Sequence, residues 1–210
     1  MSNSKDFSQL ASQKQLELTI SALEANNVTV STVADRSAAK AAVLALLPEH
    51  AQVMTMTSIT LEETGLAEAL NTSDKYQSVR TELESLNRDT DGQKMQQLGA
   101  APEWTVGSVH AITQSGQIVI ASNTGSQLPA YAYGAKHVVW VVGAQKLVSS
   151  LDEAMQRLNE YVIPLESVRA RKAYGLPESF NSAANKLLIL NKEVQPGRLH
   201  VIFVNEKLGF

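Results

Sequence analysis

The hydrophobic pattern of residues 1–56 changes repeatedly between helix-like and strand-like periods. Within 16–23, leucine and isoleucine recur at i, i+4 and i+7, which predicts an amphipathic helix. The stretch 28–33 (VTVSTV) alternates as a strand does, a second helical pattern covers 39–47, and 52–56 (QVMTM) predicts another strand. This α-β-α-β order favours a parallel sheet with helical crossovers.

The segment that follows is more polar, and its pattern indicates secondary structure less clearly. Thr60 and Glu63 have the spacing of a capping box, which predicts that a helix begins there. The stretch 71–99 is polar and charged, with Leu83 and Leu86 as sparse apolar residues. We predict that this stretch is a mostly helical excursion from the domain.

The second half of the chain is richer in strand patterns. The runs 108–113 (SVHAIT) and 117–122 (QIVIAS) flank a Gln-Ser-Gly turn and predict an antiparallel hairpin. The run 136–143 is almost entirely apolar, which is typical of a central strand covered on both faces. The runs 186–193 and 198–204 flank a Gln-Pro-Gly turn and predict a second hairpin. The whole pattern predicts an α/β domain with a mixed sheet.

One further helix has a clear beginning and a predicted end. Ser150 and Glu153 have capping-box spacing, and the stretch 151–162 carries a continuous apolar stripe. Proline lacks the backbone N–H that a helix interior needs, so we expect Pro164 to end this helix.

Composition narrows the chemistry that is available. The chain has 210 residues, 18 Lys and Arg against 21 Asp and Glu, a net charge of -3 and no cysteine. The mild acidity gives no electrostatic reason to expect nucleic acid as a partner. The absence of cysteine excludes disulfides, cysteine nucleophiles, zinc–thiolate sites and cysteine-ligated iron–sulfur clusters in this chain. No apolar run approaches the roughly 18 residues of a membrane span and no secretory signal is present, so we expect a cytoplasmic protein without a membrane partner.

The histidines give no metal-binding pattern. No two of the four histidines lie four residues apart, and no HExxH or EF-hand motif is present. His110, His137 and His200 lie in or beside predicted strands, so we interpret them as core or strand-edge residues. We therefore predict neither a metal site nor a resident cofactor.

A polar loop at 122–127 (SNTGSQ) is the strongest candidate for ligand binding in the sequence. It follows a predicted strand and precedes Pro129, which is suited to a first helical turn. Backbone N–H groups, the hydroxyls of Thr124 and Ser126 and a helix N-terminus would together bind an anion. An ordinary turn capped by Ser126 explains the same pattern. The candidate residues here are Asn123, Thr124, Gly125, Ser126 and Gln127.

Other candidates are charged or amide side chains near predicted strand ends and helix ends. Glu62 and Glu63 are candidates for acid–base catalysis, although the local pattern favours helix capping as their explanation. Arg169 would clamp a carboxylate or phosphate, or would belong to a solvated helix end. The remaining candidate ligand-binding residues are Ser58, Lys146, Asn185 and Lys186.

Six stretches along the chain carry a pattern that resembles a known family. They are LEANNVTVSTV, TSITLEETGL, LGAAPEWTVGSVHAIT, IVIASNTGSQLPAYAYGAKHVVWVVGAQKLV, IPLESVRARKAYG and PGRLHVIFVNEKLGF. Together they resemble the LUD domain family, named for lactate utilisation. The resemblance covers nearly the whole chain and implies a single LUD domain over 1–210. The implied fold is of the NagB/RpiA/CoA-transferase-like kind, a three-layer αβα sandwich around a largely parallel mixed sheet.

The resemblance also implies a role in organic-acid metabolism. Some relatives belong to a bacterial assembly that oxidises L-lactate to pyruvate, with iron–sulfur clusters in partner polypeptides or appended cysteine-rich domains. A cysteine-free LUD domain would then be a non-redox subunit or accessory protein with iron–sulfur oxidoreductase subunits as partners. It would bind a small anionic metabolite, of hydroxy- or keto-acid type, in a crevice between 124–126 and Ser58 with Glu62.

One departure from the related CoA transferases limits the chemistry. In those enzymes a glutamate takes the acyl group, whereas the matching position here is Asn123, and an amide forms no acyl anhydride. A stand-alone isomerase or transferase-like enzyme on a phosphorylated or acyl-CoA substrate is one alternative, and a structural assembly module is another. The identity of the ligand, the existence of turnover and a homodimeric state stay open at this stage.

Overall fold

The computed structural model describes residues 5–210, in which ten strands form two sheets. In chain order the strands are β1 (Thr29–Val33), β2 (Gln52–Thr55), β3 (Gln77–Ser78), β4 (Trp104–Gly107), β5 (Ala111–Thr113), β6 (Ile118–Ser122), β7 (His137–Gly143), β8 (Leu147–Val148), β9 (Lys186–Leu190) and β10 (Leu199–Val204). Six of them form a parallel main sheet in the order β1-β10-β7-β4-β2-β3. The other four form a second, mixed sheet in the order β8-β5-β6-β9.

Helices connect most of these strands. They are α1 (Gln13–Ala25), α2 (Arg36–Leu46), α3 (Ile59–Glu63), α4 (Leu66–Asn71), α5 (Val79–Glu84), α6 (Arg88–Ala100), α7 (Leu151–Arg157) and α8 (Ile163–Tyr174). Two π-helical turns (Ala130–Gly134 and Leu158–Val162) and a 3-10 turn (Ala144–Lys146) complete the helical elements of residues 5–210. The predicted α/β fold around a largely parallel sheet is confirmed. Within the same residues, no helix has the length and apolar content that a membrane span requires.

Strand β7 is covered on both faces, as its apolar run predicts. Val138, Trp140 and Val142 pack into one hydrophobic cluster, while Val139 and Val141 pack into another on the opposite face. Side chains alternate across a strand, so each face of the main sheet carries its own apolar layer. The core of the protein therefore lies on both sides of one central strand.

The layers on the two faces differ. Helices α2 and α4 cover one face through Val43 and Leu66. On the other face α1 contributes Leu23, and the second sheet contributes Ile120. The outer face of the second sheet carries Val119, which packs in a third cluster with α7. The second sheet thus adds a β layer between the main sheet and α7.

The first predicted hairpin is confirmed and the second is wrong. Strands β5 and β6 pair antiparallel around a turn in which Gly116 has a φ of 79°. Strand β9, however, pairs with β6 at the edge of the second sheet, whereas β10 lies between β1 and β7 in the main sheet. The physical reason is burial, because five of the six residues of β10 are buried while three of the five residues of β9 are exposed. A strand that is apolar on both faces is best placed inside a parallel sheet.

The prediction that Pro164 ends its helix is also wrong. The chain stays helical from α7 through the π-helical turn into α8, which ends at Gly175 in a left-handed conformation. Pro164 lies in the first turn of α8. The π-helical turn changes the register of the backbone hydrogen bonds. The N–H that Pro164 lacks therefore falls in a first helical turn, where its absence costs little free energy.

A buried ion pair fixes the connection into the central strand. The Arg198 guanidinium lies 2.8 Å from the Glu193 carboxylate, and both side chains are largely buried. Its remaining N–H groups donate to the carbonyl oxygens of Ala130, Tyr131 and Ala135, each at 3.0 Å. Arg198 therefore binds carbonyl groups of a π-helical turn and of the residue after it, and it does so directly before β10.

We expect Arg198→Met to lower the free energy of unfolding by about 3–5 kcal/mol, because it leaves the Glu193 carboxylate buried without its partner. Equilibrium unfolding in urea measures this loss. Arg36→Met is the matched control, since the Arg36–Glu206 pair at 2.9 Å is much more exposed and its removal should cost about 1 kcal/mol or less. Equal losses in the two variants would contradict this account of Arg198.

Candidate functional site

The carboxyl ends of the parallel strands meet at one edge of the main sheet, where open α/β sheets bind ligands. Four chain segments begin there. Residues 56–58 lead from β2 to α3, 108–110 lead from β4 to β5, and 144–146 form the 3-10 turn after β7. The C-terminal segment, defined here as 205–210, follows β10.

Lys146 is the centre of this edge. Its side chain is 2% exposed, and its Nζ donates to Thr60 Oγ1 at 3.0 Å and to Ser108 Oγ at 3.0 Å. The two hydroxyls in turn donate to the carbonyl oxygens of Leu208 at 3.3 Å and Val141 at 2.7 Å. Within residues 5–210, no salt bridge joins Lys146 to a carboxylate. Among the described residues, this buried lysine is thus bound by neutral groups only.

This environment favours the uncharged amine. Burial lowers the pKa of Lys146 to about 7, and the nearby positive charge of Arg157 acts in the same direction. The carboxylate of Glu63 acts in the opposite direction, but more weakly. The protonation state of Lys146 is therefore sensitive to anything that adds negative charge to the site.

Arg157 is a second buried basic side chain beside Lys146. It is 0% exposed, its Nη1 donates to the carbonyl oxygen of His110 at 2.8 Å, and its guanidinium lies 5.1 Å from the centre of the Tyr161 ring. Its Nε and Nη2 atoms have no hydrogen-bond partner among the residues that the structure describes. Burial lowers the pKa of Arg157 to about 10. Two buried donors without acceptors are costly, and their presence needs a reason.

The segment 108–110 brings the two cations to one place. Ser108 accepts from Lys146 through its hydroxyl, and His110 accepts from Arg157 through its backbone carbonyl. The imidazole Nδ1 of His110 accepts from the N–H of Ala121 at 3.0 Å, so the neutral ring carries its proton on Nε2. Burial and the two neighbouring cations hold the pKa of His110 well below its usual range.

The C-terminal segment covers this site. Leu208 is fully buried, and its carbonyl oxygen accepts from Gln145 Nε2 at 2.8 Å. The N–H of Gly209 donates to Glu63 Oε2 at 2.7 Å. A Cβ atom at Gly209 would lie 2.6 Å from Thr60 Oγ1 and 3.5 Å from Lys146 Nζ. The segment therefore lies directly against the lysine, at a distance that only glycine permits.

The capping-box interpretation of Thr60 and Glu63 is wrong. Helix α3 begins after Ser58, which is half-buried and makes no side-chain capping bond. Thr60 and Glu63 instead bind the backbone of Leu208 and Gly209. The reason is that the C-terminal segment brings backbone groups to α3 that need partners of their own, which sequence spacing within α3 does not reveal.

The polar loop at 122–127 satisfies its own backbone groups. The N–H of Gly125 donates to Ser122 Oγ at 2.8 Å, and the N–H of Ser126 donates to Thr124 Oγ1 at 3.4 Å. Gln127 Nε2 donates to the carbonyl oxygen of Ala121 at 3.3 Å. The N–H groups of Gly125 and Ser126 that were expected to bind an anion thus already have acceptors within the loop.

Two further candidates hold this loop against β9. Lys186 Nζ donates to the carbonyl oxygen of Thr124 at 2.7 Å, and Asn185 Nδ2 donates to Asn123 Oδ1 at 2.6 Å. The structure therefore brings Asn185 and Lys186 together with the loop, at the end of the second sheet. Among the described residues, no hydrogen bond links this group to α3.

The remaining candidates lie apart from both groups in their contacts. Arg169 makes two bonds of 2.7 Å to the carboxylate of Glu166, and its guanidinium lies 5.5 Å from the centre of the Tyr174 ring. Its charge is therefore already neutralised. Glu62 is exposed on α3, next to Glu63. In residues 5–210, no group of three or more His, Asp or Glu side chains is arranged to hold a metal ion.

Four residues of the Lys146 site were missed by sequence reasoning: Thr60, Ser108, His110 and Arg157. One of them leaves a signal in the sequence. Arg157 comes three residues after Ala154 and four before Tyr161, so it belongs to the apolar stripe of its helix. An arginine in the buried stripe of an amphipathic helix needs a buried polar partner. This position alone would have identified Arg157 as a candidate site residue.

The sequence pattern of one protein family matches nearly all of the chain that forms this fold. The pattern described as the LUD domain matches residues 16–204. The chain belongs to the LUD domain family. The resemblance found in the sequence is thus confirmed. No curated protein matches this LUD-domain protein.

A solved structure shares the fold of this LUD-domain protein. It is the crystal structure of a DUF162 family protein from Deinococcus radiodurans, and DUF162 is the LUD family. The TM-score is 0.58 and the identity 14%, and the match covers 94% of this chain and 100% of that one. At this identity the likeness shows the fold alone.

The buried lysine predicts how the stability of the LUD domain depends on pH. Between about pH 7 and about pH 10 the unfolded chain keeps Lys146 protonated, while the folded chain does not, so stability should rise with pH. Lys146→Met removes this contribution. We expect wild type to gain stability relative to Lys146→Met over that range, by an amount on the order of a few kcal/mol.

Urea unfolding at several pH values between these limits measures the difference. Lys186→Met is the control, because Lys186 is exposed and its removal should leave the pH dependence of wild type unchanged. Parallel stability curves for wild type and Lys146→Met would contradict the burial of a neutral amine.

Proposed function

We propose that this LUD-domain protein binds a small carboxylate metabolite, of hydroxy- or keto-acid type, in the site formed by Lys146 and Arg157. We further propose that it serves as a non-redox subunit or accessory protein in organic-acid metabolism of the L-lactate kind. The observation that carries the proposal is the buried guanidinium of Arg157, two nitrogens of which have no hydrogen-bond partner within residues 5–210.

The two free nitrogens of Arg157 match the geometry of a carboxylate. Nε and Nη2 lie on one edge of the planar guanidinium, and this edge forms two parallel hydrogen bonds to a carboxylate. The third nitrogen, Nη1, is already bound to the carbonyl oxygen of His110. A bound carboxylate would satisfy both buried donors and neutralise the charge, which explains why the protein keeps an arginine there.

Lys146 adds to the preference for an anion. Its ammonium form has three N–H donors, whereas Thr60 and Ser108 supply two acceptors. The hydroxyl oxygen of a hydroxy acid would supply the third acceptor and would stabilise the charged form. Lys146 and Arg157 are both buried, so we propose a small ligand.

The non-redox role rests on composition. The sequence contains no cysteine, so a cysteine-ligated iron–sulfur cluster has no ligands in this chain. If the protein acts in the oxidation of a hydroxy acid, the electron carriers lie outside these 210 residues. We therefore propose iron–sulfur oxidoreductase subunits as its partners.

A second candidate function is a stand-alone isomerase or transferase-like enzyme with Glu63 as its acid–base group. The observation in its favour is the position of Glu63, whose carboxylate acts on the pKa of Lys146 and binds the C-terminal segment. Glu63→Gln distinguishes the two functions. It should abolish turnover if Glu63 transfers protons, and it should leave the binding of a carboxylate to Arg157 nearly unchanged.

We expect Arg157→Lys to weaken the binding of a small carboxylate by roughly tenfold or more, because lysine keeps the charge but has no planar edge for two bonds. Titration calorimetry with L-lactate and with pyruvate measures the affinity of the wild type and the variant. Thermal shift assays with the same acids, and with inorganic phosphate for comparison, give a second readout.

Arg169→Lys is the matched control. Arg169 is bound by Glu166, so this change should leave the affinity unaffected. Circular dichroism establishes that each variant is folded. The proposal fails if folded wild-type protein binds none of the acids, or if Arg157→Lys binds them as tightly as wild type does.

A further inference from the structure

We infer that the Nζ atom of Lys146 is a nucleophile that forms an imine with the carbonyl group of a small α-keto acid. The inference rests on the proposed function, because it assigns the keto acid to the same site and adds a covalent step. It names keto acids, rather than hydroxy acids, as the ligands that react.

The hydrogen bonds around Lys146 leave one electron pair of the amine free. Ser108 donates its only hydroxyl proton to Val141, and Thr60 donates its own to Leu208. Both hydroxyls therefore accept from Nζ, each at 3.0 Å. A neutral amine has two N–H protons, which these two acceptors use, and one lone pair, which stays available. An ammonium ion would instead bury a third N–H without an acceptor.

The charged groups around Lys146 act mostly to favour its neutral amine form. Arg157 on α7 is positive and disfavours a second positive charge, and His110 beside β5 is neutral because of its own burial. Glu63 on α3 favours the ammonium form, but its carboxylate accepts from the N–H of Gly209. A lysine that is desolvated next to another cationic group is the usual form of an activated amine nucleophile.

The reaction balances without an oxidant or a reductant. The keto acid binds through its carboxylate at the Nε and Nη2 edge of Arg157. The lone pair of Lys146 then forms a C–N bond with the keto carbon, and the carbonyl oxygen takes the proton that nitrogen loses. Loss of water from this carbinolamine gives the C=N bond of the imine. The hydroxyls of Thr60 and Ser108 are within hydrogen-bond distance of the nitrogen and can transfer these protons.

Access to the amine depends on the C-terminal segment. Gly209 lies against Thr60 and Lys146, and bonds from Glu63 and Gln145 hold the segment in place. A ligand reaches Nζ only when this segment moves away. The segment belongs to neither sheet, so its opening breaks these bonds and exposes Leu208 without changing the pairing of the strands.

Reductive trapping of the full-length protein tests the inference. We incubate it with pyruvate and sodium cyanoborohydride near neutral pH and measure the intact mass, followed by peptide mapping. The expected result is one reduced pyruvate adduct, located on Lys146, at a level roughly tenfold or more above any other lysine, since exposed lysines are almost fully protonated at this pH. L-Lactate has no carbonyl group, so it should form no adduct and should suppress the reaction with pyruvate by competition.

Lys146→Arg should abolish the adduct, and Lys186→Arg is the matched control that should leave it intact. Competition by L-lactate uses the wild-type protein, so the result does not depend on a variant that folds. Binding of pyruvate without an adduct on Lys146, or adducts spread over surface lysines only, would overturn the inference and leave the proposed function standing. Absence of binding by both acids would overturn the proposed function and the inference together.

Discussion

Two buried basic side chains without an acidic partner among residues 5–210 determine how the carboxyl edge of the main sheet is built. Lys146 and Arg157 lie at or below 2% exposure, and removing a charge from water is costly unless other groups compensate. The protein compensates with hydroxyl and carbonyl oxygens in place of carboxylates. Neutral acceptors satisfy part of the donors without neutralising charge, which supports the proposal that the site binds an anion.

The parallel sheet makes this arrangement possible. Ser108 follows β4, Lys146 follows β7 and Leu208 follows β10, and these three strands are neighbours in the main sheet. Because the strands run in the same direction, residues that follow them meet at one edge although they are far apart in sequence. The second sheet then places α7 over the same edge, since β5 follows directly after the segment 108–110 and packs beneath that helix. The fold therefore places Arg157 beside Lys146.

The sequence predicted the helices and strands whose hydrophobic periodicity is visible within a short stretch of the chain. The apolar run of β7 and the helix–strand order of the first half were predicted correctly, because burial on two faces and a crossover helix each leave a continuous pattern. The separation of β9 from β10, the role of Pro164 and the partners of Thr60 depend on remote segments, and no spacing within a short window encodes them. Lys146 was predicted from its place after the central strand, whereas Arg157 required attention to a charge within an apolar stripe.

The C-terminal segment links the packing of the core to the chemistry of Lys146. Leu208 is buried in the core, and its carbonyl oxygen accepts the hydroxyl proton of Thr60. While this bond exists, Thr60 can only accept from Nζ, and the lone pair of the amine stays free. If the segment moves away, the Thr60 hydroxyl loses its acceptor and is free to donate to the amine instead. Closure of the segment over a bound ligand would therefore restore the nucleophilic form of Lys146 when the ligand is enclosed. The position of Gly209 is thus part of the proposed site, in addition to shielding Lys146 from solvent.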